Sequence, residues 1–274
     1  MGTSGTDRDK IAQWWRTDII DTEPGVIRIA GYPIEQIIGR VGYAGMVWLT
    51  LRGELPSPAQ VRLLEAALVA GVDHGPHAPS IAIARICMSC GVGINNAMAS
   101  AINALGDVHG GAGQQAMQLY AATASRIDGG EPLATAVAAS LDEALQVSGF
   151  VPGFGHRFHP IDPRVAPLMA LVADARSEGM VSGRFSDIGG AIETELSDRK
   201  GRRITMNIDG VTAVVYSELG FNPVVGRGLF VLSRSVGILA HAWEQAQSGV
   251  RIKGPVPREF PNSYGGPAPR DLPE

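Results

Sequence analysis

IEQIIGRVGYAGMVWLTLRGELPSPAQVRLLEAALVAG, from Ile34 to Gly71, is the stretch that sets the fold class. Ile34, Ile37, Ile38 and Val41 fall at i, i+3, i+4 and i+7, the apolar stripe of an amphipathic helix. A second helix is signed at its start: Ser57 can cap it, Pro58 suits its first position and Gln60 stands at the capping-box position. Its apolar face is Val61, Leu64, Ala67 and Leu68. Upstream, Gly25 to Ile34 alternates like a short hairpin. Downstream, Ser80 to Gly106 is so rich in Ala, Gly and Ser that helices can approach closely along it, and Ile86 to Leu105 reads as a buried, tightly packed helix.

Helical spacing recurs from Gly113 to Arg126, Leu133 to Val147, Arg164 to Ser177, Ser186 to Leu196, Thr212 to Glu218 and Leu229 to Gln247. Strand signals are confined to short pieces near Ile27 and Ile204. The expected fold is therefore all-α. A more charged block, residues 165–205, is expected to form a small helical lid subdomain, with residues 1–164 and 206–274 making a large helical domain. The proline-rich end, VPREFPNSYGGPAPRDLPE, cannot be regular helix and is expected to lie extended over the body or over a partner subunit.

At 274 residues, with 45% hydrophobic and 18% charged residues, the chain can bury a core and is not disordered by composition. Its formal net charge of −4 supplies no basic field, which argues against nucleic acid as a partner. No run of eighteen uncharged apolar residues is bounded like a membrane span, so no membrane partner is expected. Two cysteines in a helical stretch, and no apolar leader before a cleavage site, point to a cytoplasmic protein.

Chemistry concentrates in turns. VPGFGHRFHPIDPR, Val151 to Arg164, combines glycines, two histidines and an arginine behind a proline. His74 lies in VDHGPH, His109 in GDVHGGAG and His156 in PGFGHRFH. Glycines beside His109 and before His156 remove side chains where a ligand could approach backbone N–H groups. Asp209, in MNIDGV, reads either as a helix N-cap or as a partly buried carboxylate usable as a base. Arg164 and Arg234, in apolar helical surroundings, need an anionic partner from the protein or from a ligand. The pairs His74/His77, Cys87/Cys90 and His156/His159 have possible metal spacing, but the cysteines lie in an apolar helix and the histidines straddle prolines and glycines, so no metal site is expected.

VPGFGH followed by DPR, GDVHGGA, and NIDGV leading into SELGF resemble the three catalytic segments of the citrate synthase superfamily, in that family's chain order. LSRSVGILAHAWEQ is similar to its late helix with a substrate-binding arginine. GYPIEQIIGRVGYAGMVWLTLRGELPS and VDHGPHAPS extend the resemblance over about Gly31 to Gln247. DHGP and the helix after it especially resemble citryl-CoA lyase and the lyase module of ATP-citrate lyase, shorter relatives of the full synthases. The resemblance implies a citrate synthase-like fold and a homodimer or higher homo-oligomer. It implies cleavage of citryl-CoA to acetyl-CoA and oxaloacetate or a related 2-oxo acid, with condensation to citrate or 2-methylcitrate as the alternative. The CoA thioester would be substrate, with no permanently bound cofactor.

In roles carried over by that resemblance, Asp209 moves the proton at the thioester α-carbon and His109 donates to the thioester oxygen. His156 serves the oxo acid's carbonyl, or the alcohol it becomes. His74, Arg164 and Arg234 hold carboxylates, and Val151, Gly153, Phe154 and Gly155 line the CoA site. His159 receives no role. Two departures stand out. His156 to Arg164 spans eight residues where the family usually has nine, and Gly254, in IKGP, occupies the place of an arginine the family donates across its dimer, with Arg251, Lys253 and Arg258 nearby.

Overall fold

A computed structural model describes residues 5–155, 160–254, 256–257 and 259–273 of the chain. After α1 (Gly5–Trp14) comes an antiparallel sheet of β1 (Ile20–Glu23), β2 (Val26–Ile29) and β3 (Tyr32–Pro33), in that order. Glu23 faces Val26 across the first turn, where Gly25 takes φ 78°. The hairpin expected from Gly25 onward is thus the later part of a meander that begins at Ile20. The other strand signal, near Ile204, is an isolated bridge between Met206 and Phe154.

The rest is helical: α2 (Ile34–Ile37), α3 (Tyr43–Arg52), α4 (Pro58–Ala70), α5 (Pro79–Ser89), α6 (Ile94–Asn103), α7 (Ala112–Asp128) and α8 (Leu133–Ser148), then α9 (Val165–Ser177), α10 (Arg184–Lys200), α11 (Ile208–Glu218) and α12 (Pro223–Gln247). The capping box of α4 forms as its sequence requires. Gln60 N–H donates to Ser57 Oγ at 3.3 Å, and Ser57 N–H to Gln60 Oε1 at 2.8 Å. The stripe from Ile34 to Val41, however, is not one helix. Ile38 turns to ψ 125° and Gly39 to φ 78°, a conformation glycine adopts without steric cost, so Ile37 is buried while Ile38 is 71% exposed. Ile86 to Leu105 is likewise two helices, α5 and α6, interrupted where Gly91 takes φ 86°.

The chain packs as two compact units. The first, Met1–Val72 with Gly110–Ser233, is centred on α11, which is buried from Gly210 through Ser217 and packs against α4, α7, α9 and α10. A helix apolar on every side belongs inside a core. The residue 165–205 segment forms α9 and α10 and contributes Leu168, Val172, Ile188, Ile192 and Leu196 to that core. In the second unit, Asp73–His109 with Arg234–Glu274, Ile81 and Ala84 of α5 and Ala97 and Ala101 of α6 pack with Ile238 and Ala242 of α12.

Among the described residues α12 is long and apolar enough to cross a membrane by length and composition alone. It also carries Ser233, Arg234 and Gln245 buried within the protein. Beyond it, Ile252 N–H donates to Ser89 O and Lys253 N–H to Ser89 Oγ, both at 2.9 Å, pinning the start of the tail to the end of α5. The described tail residues that follow form neither helix nor strand.

Candidate active site

In the first unit the candidate residues gather at the start of α11. The N-cap is Asn207, whose side-chain oxygen accepts from Asp209 N–H at 2.9 Å and Gly210 N–H at 3.2 Å. Asp209 is therefore not the cap. It stands half-buried in the first helical turn, beside the N-terminal turn of α7: a Cβ on Gly113 would lie 3.8 Å from its Oδ1.

The Val151–Gly155 loop is zipped to the residues leading into α11. Gly155 N–H donates to Thr205 O at 2.7 Å, Asn207 N–H to Gly153 O at 2.9 Å and Asn207 Nδ2 to Gly155 O at 2.7 Å. Gly153, at φ 86°, is glycine because a Cβ there would meet Gly210 Cα at 2.8 Å. Buried Tyr120 supports the contact, donating from its hydroxyl to Gly210 O at 3.2 Å and meeting the Phe154 ring edge-on, centroids 6.4 Å apart. Burial pushes that phenol well above its ordinary range, so it stays a donor. Phe154 N–H donates to Val151 O, so the amides of Phe154 and Gly155 are satisfied within the unit.

Arg164 has an internal partner. Its Nε and Nη2 donate to Oδ1 and Oδ2 of Asp162, each at 2.8 Å, and its own backbone N–H donates to Oδ1 at 3.1 Å. Ile208 N–H reaches Oδ2 at 3.0 Å, so one fully buried carboxylate joins the DPR turn to α11. Burial opposes its ionisation, but the Arg164 guanidinium and the two N–H groups outweigh it and hold the carboxyl at about 2. Nη1 is the nitrogen of Arg164 not committed to Asp162.

In the second unit His109 is the organised residue. Its Nε2 lies 3.1 Å from the backbone N–H of Ser80 and 3.0 Å from Ser80 Oγ, in the first turn of α5. A backbone N–H only donates, so Nε2 accepts and the ring proton sits on Nδ1. Burial, and secondarily the positive charge of Arg234, lower the pKa of His109 and keep it neutral. Arg234 itself is 5% exposed, and His74 is exposed on the turn before α5. His156 lies outside the described residues, as do His159 and Arg258. Among the described residues no three His, Cys, Asp or Glu side chains cluster to hold a metal.

Ser80, Asp162 and Asn207 went unnoticed in the sequence. Asp162 stood in plain view in DPR, and Asn207 precedes an apolar helix as a cap should. Ser80 had no local signal, because its partner is 29 residues away.

The fold is shared with citryl-CoA lyase from Hydrogenobacter thermophilus, at 31% identity and a TM-score of 0.82 over 94% of this chain and 97% of that one. ATP citrate lyase from Methanosaeta concilii, at 19% identity, matches in fold over 97% of this chain and 45% of its own, with a TM-score of 0.77. Architecture and chain order thus define a citrate synthase-like all-α protein. The family model for the C-terminal domain of citrate synthase matches residues 56–255, and the chain belongs to the citrate synthase family. Curated relatives include a citrate synthase from Acidithiobacillus ferridurans, 28% identical over 75% of this chain and 52% of its own. Another is a 2-methylcitrate synthase from Mycobacterium tuberculosis, 30% identical over 78% of this chain and 52% of its own. The chain spans about half the length of these curated relatives.

Proposed function

We propose that the chain cleaves citryl-CoA, or a closely related β-hydroxyacyl-CoA, into acetyl-CoA and a 2-oxo acid such as oxaloacetate, through the enolate of the thioester. The observation that carries this reading is His109, fixed as a neutral Nδ1–H donor by Ser80. A neutral donor suits a thioester oxygen on which charge develops only during reaction. The alcohol proton leaves toward His156 and its electron pair becomes the new carbonyl. The carbon–carbon bond breaks, and protonated Asp209 returns a proton to the α-carbon. Arg164 through Nη1, with Arg234 and His74, holds carboxylates, and the loop of Val151, Gly153, Phe154 and Gly155 lines the CoA site. The CoA thioester is substrate, and the reaction asks for no resident cofactor.

Similarity to the Hydrogenobacter lyase over nearly all of both chains supports the cleaving direction. The test is incubation with citryl-CoA while malate dehydrogenase and NADH trap oxaloacetate. Loss of NADH absorbance above the spontaneous rate is expected, and its absence removes the substrate. The names of the curated relatives favour a second reading, condensation to citrate or 2-methylcitrate. Free CoA released from acetyl-CoA or propionyl-CoA with oxaloacetate, read with a thiol reagent, would select it. The chain is further proposed to work as a homodimer: Leu232, Val236, Leu239 and Trp243 form an exposed apolar stripe on α12 at i, i+4, i+7 and i+11.

A further inference from the structure

His241 lies outside the chemistry so far described, yet it joins two helices to the turn that bears His74. It stands on α12, seven residues beyond Arg234, so the two project from the same side of the helix two turns apart. Its Nδ1 is 3.0 Å from Arg85 Nη1 of α5, and its Nε2 is 3.3 Å from both carboxylate oxygens of Asp73. A guanidinium has no acceptor, so Nδ1 accepts and the ring proton resides on Nε2, aimed at Asp73. Glu244, one turn further along α12, also bonds Arg85 and balances its charge.

Asp73 in turn accepts the backbone N–H groups of Gly75 and His74, the arrangement by which an aspartate fixes a turn. Burial opposes ionisation of Asp73, but the hydrogen bond from His241 and those two N–H groups hold its pKa below the ordinary value. Gly75 takes φ 85°, so the turn is in a conformation that needs organising. The Arg85 and His241 side chains are mostly buried, and the chain of bonds from Glu244 to Asp73 runs from well-packed helices to an exposed loop.

We propose that His241 is a positioning residue: held by Arg85, it donates from Nε2 to Asp73 and thereby sets the Asp73–His74–Gly75 turn that presents His74 to substrate. α5 then supports both histidines of this unit that are proposed to face substrate, His109 through Ser80 and His74 through Arg85, His241 and Asp73. The kinetic consequence rests on the carboxylate-binding role proposed above for His74. Because His74 would hold substrate and not react, disruption of the relay falls on KM.

The test uses the full chain with ring-nitrogen-labelled histidine. In the wild type, NMR shows His241 as the Nε2–H tautomer. His241→Leu displaces the His74 ring resonances and raises KM for citryl-CoA roughly tenfold or more, with kcat changed less than about threefold. His241→Gln, whose amide N–H reaches the position of Nε2, restores KM to within about threefold of wild type. Asp73→Ala, at an exposed position, moves the His74 resonances in the same way even if His241→Leu does not fold. The proposal is overturned by unmoved His74 resonances in either folded variant, by an Nδ1–H tautomer at His241, or by equal behaviour of the Leu and Gln variants. A wild type that neither cleaves citryl-CoA nor makes citrate removes the reaction instead, and the resonances still judge the relay.

Discussion

Asp209 sits in the first turn behind Asn207, which caps α11, so the capping does not fall to the Asp209 carboxylate. Loss of Asp209 should therefore separate function from folding. We expect Asp209→Asn to lower turnover by about 10²–10⁴-fold, as removal of a proton-transfer group does. Its melting temperature should move by less than about 4 °C, because a charge at a helix N-terminus contributes under about 1 kcal/mol. Stopped-flow or coupled turnover beside calorimetry decides it, and a variant with near-normal turnover would dismiss Asp209 as the proton carrier. The candidate histidines and Asp209 stand out in sequence because they lie in glycine-rich turns or at a helix start. What fixes their protonation does not, since Ser80 and His109 meet only in the folded chain.

At the scale of elements, the loop before His156 and the first turn of α11 form one backbone-to-backbone joint. A methyl group on Gly153 would meet both a left-handed φ and the Gly210 backbone, whereas one on Gly53, also left-handed at φ 80°, would meet no atom within 4 Å. Gly153→Ala should cost about 2–4 kcal/mol against about 1–2 kcal/mol for Gly53→Ala, and denaturant titration of the pair separates packing from conformation. Equal costs would show that the close approach to Gly210 is unimportant. Asp162 ties the same joint with a charge. Its folded pKa of about 2 lies below the ordinary 3.8, so its contribution is complete above about pH 4 and is lost as pH falls through about 2. The difference is worth about 2 kcal/mol. The stability gap between wild type and Asp162→Asn should therefore narrow between pH 4 and 2; a constant gap would contradict this. Periodicity located most helices, but it overran Gly39 and Gly91, because an apolar stripe continues on paper through a glycine whose φ has ended the helix.

For the whole molecule, the all-α class was legible because 3.6-residue spacing recurs from Ile34 to Gln247. Its division into units was not, since residues 73–109 join residues 234–274 through contacts that spacing does not encode. The exposed stripe on α12 belongs to this scale. Sedimentation equilibrium should give a dimer, and Leu239→Lys with Trp243→Glu should give a monomer of unchanged helicity; a wild-type monomer would remove the dimer. The joint at Gly153 also has a kinetic consequence. Its hydrogen bonds connect residues 46 to 54 positions apart, so α9 and α10 must be made before it can close. Closing such a loop costs roughly 3–4 kcal/mol of chain entropy, recovered only once the whole intervening segment is present. At about 5–20 residues per second, the ribosome takes roughly 3–10 s to deliver that stretch. During synthesis the glycine loop therefore waits, solvated and unclosed, and is among the last parts of its unit to become native.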